Sequence, residues 1–294
     1  MRHAEAGAAV LAALLCLTAC QGPPPPTRPT VVVTIYPLWE LTRQVARPRA
    51  EVIALVPPGV EPHDWEPSPR DVSLVQRAAV LVHTGTALDA WVTRLIASRP
   101  ARVVVVDTSQ GSSLLAQGAG ADPHTWLDPT LARAQVETIA AGLARADPDG
   151  RAGYEERAAA LGRRLDALDA AFAAGLSRCA RRELVTTHGA FGYLARRYRL
   201  TQVSIMGRAP EAEPSPADLA AIVRTGRRLH VTHVFVEPLV SPRLAETVAR
   251  EIGAKVLPLD PLEGLSPERA DAGAGYVELM EANLASLRAG LGCS

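Results

Sequence analysis

The sequence predicts an α/β fold of two lobes, each on a mostly parallel four-stranded sheet, joined by one long rigid helix. Three observations carry this. Short β-branched runs, each followed by a turn and a helical pattern, occur four times and then four times more. One long amphipathic helical stretch separates the two sets. At roughly 100–200 residues per domain, 294 residues make one large domain or two ordinary ones, and the repeated rhythm favours two.

The chain opens with an address. Arg2 supplies a short positive end, residues 7–17 are apolar, and Leu17-Thr18-Ala19-Cys20 closes the segment, the layout of a signal peptide over residues 1–19. A cysteine directly after small residues resembles the bacterial lipobox, which implies lipidation at Cys20. Residues 20–29, with prolines at 23–26 and 29, suit a stiff extended tether. No apolar run reaches the ~20 residues of a membrane-spanning helix, so attachment by a lipid is expected rather than insertion.

Strands are predicted at 31–35, 52–56, 80–82 and 103–106 in an N-terminal lobe, residues 30–147. The linking helix, residues 148–179, follows Asp147-Pro148-Asp149, with Asp149 as the expected N-cap. Its apolar residues Ala158, Leu161, Leu165, Leu168, Phe172 and Leu176 recur at spacings of three and four along one face of about seven turns. The C-terminal lobe, residues 180–294, repeats the rhythm with strands at 184–187, 202–205, 233–236 and 254–257. Of four cysteines, Cys16 leaves with the signal and Cys20 takes the lipid. Cys179 and Cys293 either pair, as an oxidising exterior favours, or remain small apolar side chains.

Charge excludes one class of partner. The 31 basic and 31 acidic residues balance and are scattered, which argues against a nucleic-acid surface. Three of the seven histidines lie just beyond predicted strands, in loops stiffened by proline or glycine: His63, His124 and His188. A carboxylate in a similar position is Asp260. Ligands of open α/β sheets bind beyond the carboxyl ends of strands, so these four side chains, two from each half, would meet between the lobes. Three imidazoles and one carboxylate make a closed tetrahedral set for a divalent cation.

The segments Pro58-Gly59-Val60-Glu61-Pro62-His63-Asp64-Trp65, Asp122-Pro123-His124-Thr125-Trp126-Leu127-Asp128-Pro129, His188-Gly189-Ala190-Phe191-Gly192-Tyr193, Glu211-Ala212-Glu213-Pro214-Ser215 and Leu259-Asp260-Pro261-Leu262 resemble the hallmark segments of one family. It is the zinc/manganese-binding solute-binding lipoproteins of bacterial ABC importers (cluster A-I). The resemblance runs from about Thr30 to the C-terminus. It implies one metal ion per chain in the inter-lobe cleft, held by His63, His124, His188 and Asp260, and delivery to an ABC permease with its ATPase subunit. It further implies a non-enzymatic monomer, exported and lipid-anchored outside the cytoplasmic membrane or in the periplasm. A third histidine resembles the zinc members, and imidazole suits Zn2+, so zinc is expected ahead of manganese or iron. The His-rich loop of many zinc members is missing from residues 108–120.

Two other functions fit these residues less well. A zinc hydrolase would keep an open coordination position and a general base, which a fourth protein ligand and the lack of a His-Glu-x-x-His helix disfavour. No residue independently supports an adhesin. Among the remaining polar groups, Glu237 is expected to fix a histidine tautomer. Glu211 and Glu213 are assigned to a loop that either contacts the importer or gates the cleft. His83, His230 and His233 are expected to be structural, and Arg196-Arg197 and Arg227-Arg228 to be solvated helix faces. Metal occupancy is expected to fall below about pH 6, where free imidazole takes a proton.

Overall fold

The computed structural model describes residues 28–117, 120–206, 215–264 and 275–294. The signal segment, Cys20, most of the tether, and Glu211 and Glu213 lie outside them. The first lobe alternates β1 (Thr30–Val33), α1 (Tyr36–Ala46), β2 (Glu51–Ala54), α2 (Pro69–Arg77), β3 (Val80–His83), α3 (Val92–Ser98) and β4 (Val104–Asp107). Its sheet has the order β2-β1-β3-β4, all parallel. A two-stranded hairpin, β5 (Ala116–Gln117) with β6 (Gly120–Ala121), was not anticipated from pattern, because each strand is only two residues long. Next come α4 (Pro129–Ala146) and the long α5 (Arg151–Gly175).

The second lobe runs β7 (Glu183–Thr186), α6 (Gly192–Tyr198), β8 (Thr201–Ser204), α7 (Pro216–Arg228), β9 (His233–Val236), α8 (Arg243–Ile252), β10 (Lys255–Pro258) and α9 (Tyr276–Leu291). Its parallel sheet has the order β10-β9-β7-β8. Local signals set the helix starts. Ser68 before α2 and Ser215 before α7 each form a reciprocal capping box with the acid three residues on, followed by proline at the first helical position. Asp149 does not cap α5. The turn Pro148–Gly150 runs straight into the helix, and Gly150 occupies the cap without a side-chain bond.

The helix α5 buries Tyr154, Leu161, Leu165, Leu168 and Phe172 along the predicted face. Each such side chain contributes about 1.5–3 kcal/mol of apolar burial. One contiguous core takes in Val33 and Val82 of the first lobe, Leu143 of α4, Leu165 of α5, and Leu184, Phe191 and Leu259 of the second. The lobes therefore share packing as well as a strut, which opposes wide hinge motion. Cys179 and Cys293 face each other across an antiparallel bridge with their sulfurs bonded, so the end of α9 is tied to the segment after α5. No helix among the described residues is long and apolar enough to cross a membrane.

Candidate metal centre

Each ligand candidate is delivered by a loop that leaves the carboxyl side of a sheet. His63 sits in the short turn Pro62–Asp64 beyond β2, where its backbone N–H donates to Glu61 Oε1 at 3.3 Å. His124 immediately precedes the turn Thr125–Leu127. Its backbone N–H and its Nδ1 both meet Asp122 Oδ1, at 3.0 and 2.7 Å. A carboxylate on Nδ1 holds the proton there and directs Nε2 at the cleft. His188 lies two residues past β7, and its carbonyl accepts from Thr186 Oγ1 at 2.6 Å and Gln202 Nε2 at 3.0 Å.

Glu237, at the end of β9, does for His188 what Asp122 does for His124. Its Oε1 accepts from the His188 backbone N–H at 3.1 Å and from Thr187 Oγ1, while Oε2 lies 2.5 Å from His188 Nδ1. That last approach is an ion pair in distance but lacks hydrogen-bond alignment, and neither ring nitrogen of His188 has an aligned partner. An unaligned Nε2 in a fully buried imidazole is what a ligand position leaves behind.

The three Nε2 atoms converge on a single oxygen, Glu263 Oε1, at 2.5 Å from His124, 3.2 Å from His63 and 3.5 Å from His188. Donor atoms from His63, His124, His188 and Glu263 all lie within 4.8 Å of one another. A tetrahedral set with metal–nitrogen bonds near 2.0–2.1 Å needs separations of about 3.3 Å, so small side-chain adjustments suffice. The Glu263 and histidine side chains are 0–2% exposed except His63, at 17%, which places the entrance on the His63 side.

Asp260, the carboxylate expected from sequence, is not in this group; Glu263 stands in its place. One oxygen of the Asp260 carboxylate, Oδ1, accepts from the Leu262 backbone N–H at 2.7 Å. Its backbone is held from both sides by Asn283, at 2.8 and 2.7 Å. Leu262 then adopts a left-handed conformation, φ 58°, which a branched side chain takes only when its surroundings impose it. That reversal turns Glu263 into the cleft. Trp126 secures the same loop from the opposite lobe, its Nε1 donating to the Pro261 carbonyl at 2.7 Å, and Tyr276 Oη donates to the Trp126 carbonyl. Tyr193 Oη donates to the Asp122 carbonyl at 2.8 Å, a further link between the lobes.

The charges reinforce one another. Burial pushes the His124 imidazole down, but the Glu263 and Asp122 carboxylates more than offset it and raise it to about 9. For His188, burial is likewise outweighed by Glu263 and Glu237, which raise it to about 11. Glu263 is opposed by burial yet held well below the ordinary range by the two imidazoles. Glu61 is raised to about 7 by burial and by the Glu263 charge. Of the other histidines, His83 accepts from the Gly85 N–H, and His230 is exposed at a left-handed helix end, φ 50°.

Two α/β lobes that close on three imidazoles and a carboxylate define a two-lobed protein built to hold a divalent transition-metal ion. Residues 31–290 match ZnuA, the zinc-uptake complex component A, periplasmic, and the chain belongs to that family. The high-affinity zinc uptake system protein ZnuA of Bacillus subtilis (strain 168) is 36% identical over 275 residues, 88% of this chain and 86% of that protein. The zinc-binding lipoprotein AdcA of Streptococcus pneumoniae is 37% identical over 274 residues, 88% of this chain but only 55% of AdcA, so the chain spans about half of that relative. Among solved structures, the Zn(II)-bound ZnuA-like domain of S. pneumoniae AdcA aligns with a TM-score of 0.82 at 37% identity, covering 90% of this chain and 99% of that one.

Proposed function

We propose that the chain captures Zn2+ outside the cytoplasm through His63, His124, His188 and Glu263 and hands it to an ABC permease driven by a separate ATPase subunit. The observation that carries this reading is the convergence of three Nε2 atoms on Glu263 Oε1 between the lobes. A donor set of three nitrogens and one carboxylate oxygen favours zinc over manganese, which prefers oxygen-rich sets. Asp122 and Glu237 orient two of the imidazoles, and Trp126 and Tyr276 clamp the loop that carries Glu263. With four protein ligands, the ion is bound as cargo and no position is kept for a reacting water.

Attachment is by a lipid on Cys20 through the proline-rich tether, and the working unit is a monomer. Elemental analysis of protein purified without added metal tests the metal. About one zinc per chain, lost on substitution of His124 by alanine with the fold retained, supports the reading, whereas manganese in preference to zinc under competition refutes it.

A further inference from the structure

A second concavity, of about 400 Å3, lies on the first lobe away from the metal centre. Arg28, Arg77 and Arg102 line it together with Thr30, Ala79 and Ala146. Topology decides its place. Arg28 precedes β1, Arg77 ends α2 just before β3, and Arg102 precedes β4, so the pocket opens at the amino ends of the strands. His63 leaves the opposite, carboxyl end of β2. All three arginines are exposed, and no acidic residue lines the pocket. Among the described residues none of the three meets a carboxylate; Arg102 donates only to the Gln76 carbonyl, at 2.7 Å. Arg49, by contrast, is neutralised by Asp147 at 2.8 Å. Unpaired positive charge lining a concavity concentrates its field there and attracts anions.

We propose that this pocket receives the phosphates of anionic lipid headgroups and rests the first lobe on the membrane between deliveries, a pose the chain leaves when its metal cleft turns to a permease. The idea rests on the proposed anchoring at Cys20 in one respect, reach. If extended, the eight steps from Cys20 to Arg28 would reach about 25 Å at ~3.1 Å each. The tether also enters the folded body at a wall of the pocket itself, so an anchored chain keeps these arginines close to the headgroups. Near an anionic surface each arginine strengthens attachment about fivefold, and three together about a hundredfold. The attraction is screened beyond a Debye length of ~8 Å at physiological salt.

The test uses the mature chain from Cys20, purified without acylation, so that failure of the lipid assignment (read separately from the mass of membrane-extracted protein) leaves the result intact. Sedimentation is measured with vesicles of phosphatidylcholine alone or mixed with phosphatidylglycerol. Binding is expected only to the mixed vesicles and is expected to weaken with salt. Arg77→Ser should lower it about fivefold, and the triple variant R28S/R77S/R102S about a hundredfold, with melting temperature and zinc content unchanged. The charge-matched variant R224S/R228S/R243S, on exposed positions of the second lobe, should bind as the parent does. Equal losses in both triple variants, or equal binding to neutral vesicles, overturn the proposal. So does calorimetric binding of inorganic phosphate at the pocket without any vesicle attachment, which would make it a free-anion site.

Discussion

Zinc affinity should climb steeply as pH rises from neutrality toward 9. An ordinary imidazole titrates near 6.5, so above pH 7 an ion would meet little proton competition and affinity would level off. Here His124 is raised to about 9 and His188 to about 11, because both share the Glu263 carboxylate in a buried site. At pH 7 the His124 proton sits two units below its midpoint, so displacing it weakens apparent affinity about a hundredfold. Each unit of pH toward 9 should restore about tenfold for His124 alone and up to about a hundredfold if His188 competes independently. Chelator-competition titrations across this range give the slope. Calorimetry in buffers of different ionisation enthalpy counts protons, and between one and two per zinc are expected at neutral pH. Glu263→Gln removes the charge that raises both rings, so it should flatten the slope while weakening binding. Affinity that is level above pH 7, with no proton released, would refute the shared-carboxylate account.

Three other outcomes are expected. Glu263→Ala should weaken zinc binding by more than about a hundredfold, beyond what a hydrogen-bond partner of a ligand contributes. Asp260→Ala should instead cost about 1–3 kcal/mol of stability by leaving the buried Leu262 N–H without its acceptor, with a smaller change in affinity. Equal affinity losses would put both carboxylates on the metal. In chelator-treated protein, the raised folded-state value of His124 contributes stability fully below about 6.5 and loses it as pH rises through about 9. The melting temperature of that form should therefore fall across this window while the zinc-loaded form does not follow, and parallel traces would contradict the linkage. Removing the Cys179–Cys293 bond, which closes a loop of sequence separation 114, should lower stability by up to about 5 kcal/mol. Melts of C179A/C293A against the parent check this, and coincident curves would mean the crosslink restrains little.

The architecture was legible because its signals are local and repeated. β-Branched runs marked the eight long strands to within a residue or two, and the α5 stripe from Tyr154 to Phe172 needed only a spacing of three and four. His63 and His188 were legible for a related reason, since each follows a strand of a parallel sheet, whereas His124 follows the antiparallel β5–β6 hairpin and was legible from its proline-stiffened loop. Glu237 was readable as an acid at a strand end. Asp122 carries a local signal as well, a carboxylate two residues before a histidine with proline between them, which allows one oxygen to meet both the backbone N–H and Nδ1. Trp126 and Tyr276 carried no such mark, because their bonds cross between lobes from residues 135 and 150 positions apart.

By itself the sequence determined the two-lobed α/β plan, the linking helix and the imidazole-rich character of the centre, because periodicity and strand-end loops are properties of short segments. Only the tertiary structure decided which carboxylate of Leu259-Asp260-Pro261-Leu262-Glu263 meets the three imidazoles. The two acids differ by three positions, and their directions depend on a left-handed Leu262 that Asn283, Asp260 and Trp126 impose from outside the segment's own pattern. Backbone direction at a strained turn is set by what surrounds it, and that information is not local.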